Sequence, residues 1–214
     1  VLSGLGNFPG LKKLEPERSD TLSFQTHMRS ALLKELASVD MAGSRVALTD
    51  FQLEVWESLK TSYATAISAP TSAGKSFVVL EHLADTAIRA EKFVAMYIAP
   101  TRALLAEIQG KLERRLTTIG NELRITTIPV ADPENRPKQI YVLTQERAQL
   151  LLSAMNLEND VDLVIVDEAQ AIGDDSRGMI LQDVVEKIRD ANPSARFLFL
   201  APGATGFKLV GESV

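Results

Sequence analysis

Apolar residues fall along this chain in two alternating patterns. Short unbroken runs, Ala64 to Ala69, Phe93 to Ala99, Leu163 to Val166 and Phe197 to Leu200, have the length and continuity of strands buried on both faces. Two further strands, Arg124 to Ile128 and Gln139 to Leu143, flank a loop holding Pro129, Pro133 and Pro137, which predicts an exposed segment of variable shape. Between the runs, apolar positions recur at helical spacing: Phe51, Val55 and Leu59; Val79, Leu83 and Ala87; Leu104, Ile108, Leu112 and Leu116. Two more helices are predicted, one opening at Thr144 and running through Leu150 and Leu152, the other over roughly Met179 to Arg189. The alternation implies an α/β fold with a mainly parallel sheet, helices on both faces, and ligands at the carboxyl ends of the strands.

Upstream of this block, residues 1–20 carry glycines, two prolines and mixed charges without a period and read as an irregular lead-in. Phe24, Met28, Leu32 and Leu36 then form a four-residue stripe that predicts an amphipathic helix from Thr21 to Val39 packed on the domain body. The chain thus divides into an N-terminal helical extension over 1–47 and one α/β domain over 48–214.

Composition narrows the chemistry more than the fold. With 45% hydrophobic residues in 214, the chain can bury an ordinary core. It has no cysteine, and its two histidines, His27 and His82, lie far apart, so there is no disulfide framework and no zinc site; a metal would need oxygen ligands. No apolar run is long enough to span a membrane and no secretory pattern opens the sequence, which points to a cytoplasmic or nuclear setting. A net charge of −5 argues against coating nucleic acid through a basic surface and leaves room for a local groove with a few phosphate contacts.

The polar clusters all fall where predicted strands end. After the first run comes Ala69-Pro70-Thr71-Ser72-Ala73-Gly74-Lys75-Ser76, leading into a helix. Strand, tight loop, Gly-Lys-Ser and helix is how a protein holds a triphosphate: backbone N–H groups of Thr71, Ser72, Ala73 and Gly74 face phosphate oxygens, Lys75 neutralises β/γ charge, and the Ser76 hydroxyl can ligate Mg²⁺. The strand Leu163 to Val166 ends in Asp167-Glu168-Ala169-Gln170. A lone Asp-Glu pair at such an exit is usually solvated charge. Beside a phosphate loop it has a use, with Asp167 holding Mg²⁺ together with Ser76 and Glu168 orienting or deprotonating the attacking water. Gln52 has two readings, the reciprocal partner in a capping box with Thr49 and a bidentate reader of the adenine edge; position alone favours the cap.

In order, Ala69 to Ser76, Ala99-Pro100-Thr101-Arg102-Ala103-Leu104, Thr144-Gln145-Glu146-Arg147, Asp167 to Gln170 and Gly203-Ala204-Thr205 resemble motifs I, Ia, Ic, II and III of superfamily 2 helicases. Around the acidic motif, Asp167 to Asp174 followed by Arg177-Gly178 is similar to the DExH group that holds the polymerase theta helicase domain and the exosome-associated RNA helicases. The resemblance spans about residues 48 to 206. It implies a RecA-like P-loop domain, the first motor domain of an ATP-dependent helicase or translocase, using ATP and Mg²⁺ on single-stranded DNA or RNA. It assigns Gln52 to adenine and Lys75, Ser76, Asp167 and Glu168 to hydrolysis. Gln170 would couple to Gly203, Ala204 and Thr205, and Thr101, Arg102, Thr144 and Arg147 would face the strand. For the two threonines the competing reading is helix capping; for the two arginines it is surface charge or a salt bridge. Lys111, Arg114 and Arg115 read as a solvated helix face.

Three departures accompany the resemblance. Ser72 stands where many helicases have Gly, Gly203 replaces a usual Ser, and motif II ends in Gln. The sequence also stops shortly after motif III, so the second RecA-like domain, with its arginine fingers, lies outside these residues, and the resemblance implies that residues 1–214 alone are nearly inactive. A nucleotide-sensing scaffold is the competing reading, resting chiefly on Gly203. A small-molecule kinase fits less well, because nothing resembles an acceptor site or lid.

Overall fold

The computed structural model describes residues 35, 37–41, 43–154, 160–172 and 176–203; of Thr71 it describes the backbone. The Phe24-Met28-Leu32-Leu36 stripe, Gly173, Asp174, Ala204 and Thr205 lie outside these residues. In chain order the elements are β1 (Ser38–Met41), β2 (Ser44–Ala47), α1 (Asp50–Thr61), β3 (Ala64–Ser68), α2 (Lys75–Arg89), β4 (Phe93–Ile98), α3 (Arg102–Arg115), β5 (Leu123–Thr126), β6 (Lys138–Leu143), α4 (Gln145–Ala154), β7 (Leu163–Val166), α5 (Ser176–Ala191) and β8 (Arg196–Ala201).

Six strands form one sheet in the order β3-β8-β7-β4-β6-β5, and every neighbouring pair is parallel. The apolar runs are continuous because both faces are covered. Ala95, Tyr97, Ile140, Val142, Ile165 and Leu198 point to a core shared with α1, α2 and α3, built around Trp56, Leu59, Val79, Leu83 and Leu112. Their sequence neighbours Met96, Ile98, Tyr141, Leu143, Val164 and Phe197 point the other way, onto Ala148 and Leu151 of α4 and Leu181, Val184 and Ile188 of α5. This period-two division of one run between two cores makes a slip of one residue prohibitive.

Several details differ from the periodicity. Among the described residues β3 is an edge strand paired only with β8, and Ala64, Ala66 and Ser68 are exposed while Ile67 is buried; its small side chains give a short apolar run without bulk to bury. On α3, Leu105 is buried and Leu104 half-buried, a shift of one position. On α4, Ala148 and Leu151 face the core and Leu150 is exposed. The helix predicted to reach Val39 gives way by Ser38, because Ser38–Met41 pairs antiparallel with Ser44–Ala47 around Gly43 (φ 76°). Arg115 holds this hairpin to the body, donating from Nη2 to the Met41 carbonyl at 2.7 Å and from Nε to Glu81 at 2.9 Å. That geometry departs from a solvated helix face for Arg115. The proline-containing loop is likewise fixed: the buried Asp132 accepts from the N–H groups of Glu134 and Arg136 at 3.3 and 3.0 Å and from the Arg136 guanidinium at 2.7 Å.

Candidate nucleotide and strand site

β3 and β7 flank β8, so the loop after β3 and the Asp-Glu pair after β7 are two strand spacings apart, about 10 Å. The segment after β8 runs between them. A Cβ on Gly203 would stand 3.3 Å from the Pro70 nitrogen and 3.4 Å from the Ala69 carbonyl carbon, so the backbone after β8 lies against the start of the phosphate loop. The close approach favours a residue without a side chain at this position.

The loop itself turns through a single 3₁₀ turn, Thr71–Ala73, closed by Ala73 N–H donating to the Pro70 carbonyl at 3.0 Å. Gly74 then takes φ 80°, ψ 26°, and a Cβ there would collide with the Gln52 amide, so both backbone and space require glycine. Lys75 is buried and its ammonium donates to the Ala69 carbonyl, which holds the charge inside the loop; Ser72 and Ser76 are exposed.

α2 begins without any side-chain cap, in contrast to its neighbours. Thr49 caps α1, Thr101 caps α3 by accepting from Leu104 N–H at 3.3 Å, and the Thr144 hydroxyl accepts from Arg147 N–H at 3.4 Å. A missing cap forgoes about 1 kcal/mol. At α2 the first-turn N–H groups, with the positive helix end and Lys75, form a set of donors suited to phosphate oxygens.

The sequence left Gln52 between two roles, and its bonds are those of the cap. Oε1 accepts from Thr49 N–H at 3.1 Å while Thr49 Oγ1 accepts from Gln52 N–H at 3.2 Å. Its amide nitrogen also donates to the Ala73 carbonyl at 3.3 Å, fastening α1 to the phosphate loop.

Asp167 is half-buried at the tip of β7. Its Oδ2 accepts from the Tyr97 hydroxyl at 2.9 Å and its Oδ1 from Glu168 N–H at 3.0 Å. Burial pushes the carboxyl above its ordinary range, while these two donors and the Lys75 charge pull it down. The Tyr97 phenol is driven well up by burial and by the adjacent Asp167, so it acts as a donor across the working pH range. Tyr97 was missed in the motif reading, although a tyrosine inside an aliphatic buried strand always raises the question of where its hydroxyl goes. Glu168 sits in the left-handed region (φ 54°, ψ 42°), a conformation that costs a non-glycine residue about 1–2 kcal/mol. Gln170 donates to the Glu168 carboxylate and its own Oε1 is buried without a partner among the described residues.

The second cluster lies at the ends of β4 and β6. Thr101 and Arg102 are exposed at the start of α3, whereas Thr144 is buried and serves its own helix. Arg147 is half-buried with Nη1 donating to the Thr127 carbonyl at 2.7 Å. Between the two helix starts stands Arg177, from the first turn of α5, bonded to Glu146 through Nε at 2.8 Å and to the Pro100 carbonyl through Nη2 at 3.0 Å. Burial would raise the Glu146 carboxyl, but the bonds from Arg177 and Thr144 outweigh it and hold the group below its usual range.

A family model for the DEAD/DEAH box helicases matches residues 49–205, the span that carries all of these clusters. The chain belongs to that family. Among its relatives, the ATP-dependent DNA helicase Hel308 of Thermoplasma acidophilum is 32% identical over 165 residues, covering 74% of this chain and 24% of the relative. The RQC trigger complex helicase SLH1 of Saccharomyces cerevisiae is 29% identical over 147 residues, covering 60% of this chain and 7% of that protein. Activating signal cointegrator 1 complex subunit 3 of Homo sapiens is 28% identical over 146 residues, again 60% of this chain and 7% of the relative. This DEAD/DEAH box chain therefore spans a quarter or less of the length of these relatives. The solved helicase domain of Pyrococcus furiosus Hef superposes with a TM-score of 0.56 at 21% identity over 74% of this chain and 34% of that one, which shows a shared RecA-like fold. Among the described residues no helix is long and apolar enough to cross a membrane.

Proposed function

We propose that residues 48–214 are the first motor domain of a DExH-type, ATP-dependent helicase or translocase that binds Mg-ATP at the β3/β7 edge and a single strand across the ends of β4 and β6. The observation that carries the reading is convergence: the uncapped, lysine-bearing loop after β3 and the desolvated Asp167 after β7 flank β8, after which Gly203 packs against the start of the loop. Lys75 would release the Ala69 carbonyl to meet phosphate, and Gln52 would exchange its cap for the adenine edge or keep it while the base stacks elsewhere. Ser76 and Asp167 would supply oxygen ligands suited to Mg²⁺, and the Tyr97 hydroxyl, donating to Asp167, favours its ionised form against the upward push of burial. A bound Mg²⁺ would neutralise developing charge on the phosphates. Glu168, held by its left-handed backbone and the Gln170 amide, would orient the attacking water. The buried Oε1 of Gln170, unpaired among the described residues, would accept from a donor of the segment after β8, the coupling the resemblance assigns to Gly203, Ala204 and Thr205.

Gly203 also has a packing use, since a Cβ there would be tight against Ala69 and Pro70, so the residue does not by itself favour the scaffold reading. The motor reading further requires a second RecA-like lobe to supply the transition-state cation, worth about a thousandfold or more in related phosphoryl transfer. Titration with a fluorescent ATP analogue in Mg²⁺ tests the site. Lys75→Ala weakens binding by about 10- to 100-fold, the value of a charged hydrogen bond, whereas Glu168→Gln leaves it within about twofold. Equal binding by wild type and Lys75→Ala would remove the nucleotide site from this loop.

A further inference from the structure

Arg177 is flagged by the sequence pattern but given no role by it, and its contacts define one. Its guanidinium reaches the carbonyl of Pro100, the residue before the Thr101 cap of α3, and the carboxylate of Glu146, two residues after the Thr144 cap of α4. With the buried Gln145 amide oxygen turned toward it, that group accepts from the same Nε and Nη2 at 2.9 and 3.1 Å. One side chain from α5 thereby fixes the separation of two helix starts that belong to different strands. The pair is about half exposed, 49% for Arg177 and 43% for Glu146, and an ion pair that open adds little to stability. What it can supply is geometry.

We infer that Arg177 is a positioning residue for strand binding: by bonding both Pro100 and Glu146 it fixes the starts of α3 and α4 relative to each other where the proposed single strand crosses them. Neutralising Glu146 is part of the same function, because an unpaired carboxylate beside the path would repel the backbone. The inference rests on the proposed strand path. It also explains arginine over lysine, since only the planar fork serves a carbonyl and a carboxylate at once.

The test uses residues 1–214 and fluorescein-labelled dT20 and rU20 by anisotropy, with the fluorescent ATP analogue measured in parallel. Arg177→Gln raises the strand Kd severalfold, by freeing the starts of α3 and α4 and unmasking the Glu146 carboxylate, and leaves the nucleotide Kd unchanged. Arg177→Lys, which keeps the charge and not the fork, recovers only part of the affinity. Glu146→Gln combined with Arg177→Gln is no worse than Arg177→Gln alone, since the two act as one unit. Full recovery by lysine, with the salt slope of Arg177→Gln reduced by about 0.7, would make Arg177 a direct phosphate contact and overturn the inference. So would a parallel loss of nucleotide and strand binding, which marks general unfolding, or wild-type affinity in all variants. If the wild-type chain binds the ATP analogue and neither oligonucleotide, the strand path itself fails and takes this inference with it.

Discussion

Tyr97 shows how a buried strand residue reaches the chemistry. Its hydroxyl is the neutral donor on Asp167, and such a donor favours the ionised carboxylate. Tyr97→Phe should therefore raise the Asp167 pKa further, and the acid limb of Mg²⁺-dependent nucleotide binding moves to higher pH. Binding titrations of both proteins between pH 5 and pH 8 check this, and superimposable limbs would separate Tyr97 from the site. His82 makes a second pH prediction, this time about stability. It is buried edge-on to Trp56 at 5.8 Å with its Nε2 unpaired among the described residues, and burial with the nearby Arg196 charge lowers its pKa to about 4. The folded state keeps the ring neutral, so its contribution is intact above pH 6.5 and is lost as pH falls toward 4 and the unfolded chain takes up the proton. At pH 4.5 the loss relative to pH 7 is about 2–3 kcal/mol. Urea denaturation of wild type and His82→Leu at the two pH values should show that much less acid sensitivity in the variant.

At the level of elements, the helix starts carry both stability and recognition, and substitution can separate the two. Thr101→Ala removes a cap and should cost about 1 kcal/mol. Thr101→Asp restores the cap acceptor and places a negative charge on the proposed path, so stability recovers while the strand Kd rises severalfold. Thermal melts and anisotropy distinguish this from a purely structural threonine, for which the aspartate would bind as the wild type does. The sheet was legible because a parallel strand buried on both faces must be a continuous apolar run, as β4 and β7 are. The β1–β2 hairpin was not, since Ser38–Met41 and Ser44–Ala47 are too short and too polar for a period, and their place depends on Arg115, distant in sequence. The motif residues were legible as types and spacing. The groups that support them, Tyr97 under Asp167 and Arg177 between α3 and α4, become visible only once the strand order brings them together.

For the whole molecule, charge and completeness decide what can be measured. With a net charge of −5, strand affinity has to come from a few local contacts. Two phosphate contacts, from Arg102 and Arg147, at about 0.7 each give a salt slope near −1.4, and a slope several times steeper would reveal a basic surface that the proposed path does not contain. Turnover argues in the same direction. The chain covers 24% of the T. acidophilum helicase and less of the others, and the β3/β7 edge as described offers Lys75 as its buried cation at the phosphate loop. On the proposed two-lobe reading, in which an arginine of a second lobe is worth about a thousandfold or more, residues 1–214 should bind the ATP analogue in Mg²⁺ yet hydrolyse ATP only at a trace rate, unchanged by added dT20 or rU20. Steady-state phosphate release decides the matter. Fast, strand-stimulated hydrolysis by these residues alone would mean that the transition-state cation is already among them, and the two-lobe reading would have to be given up.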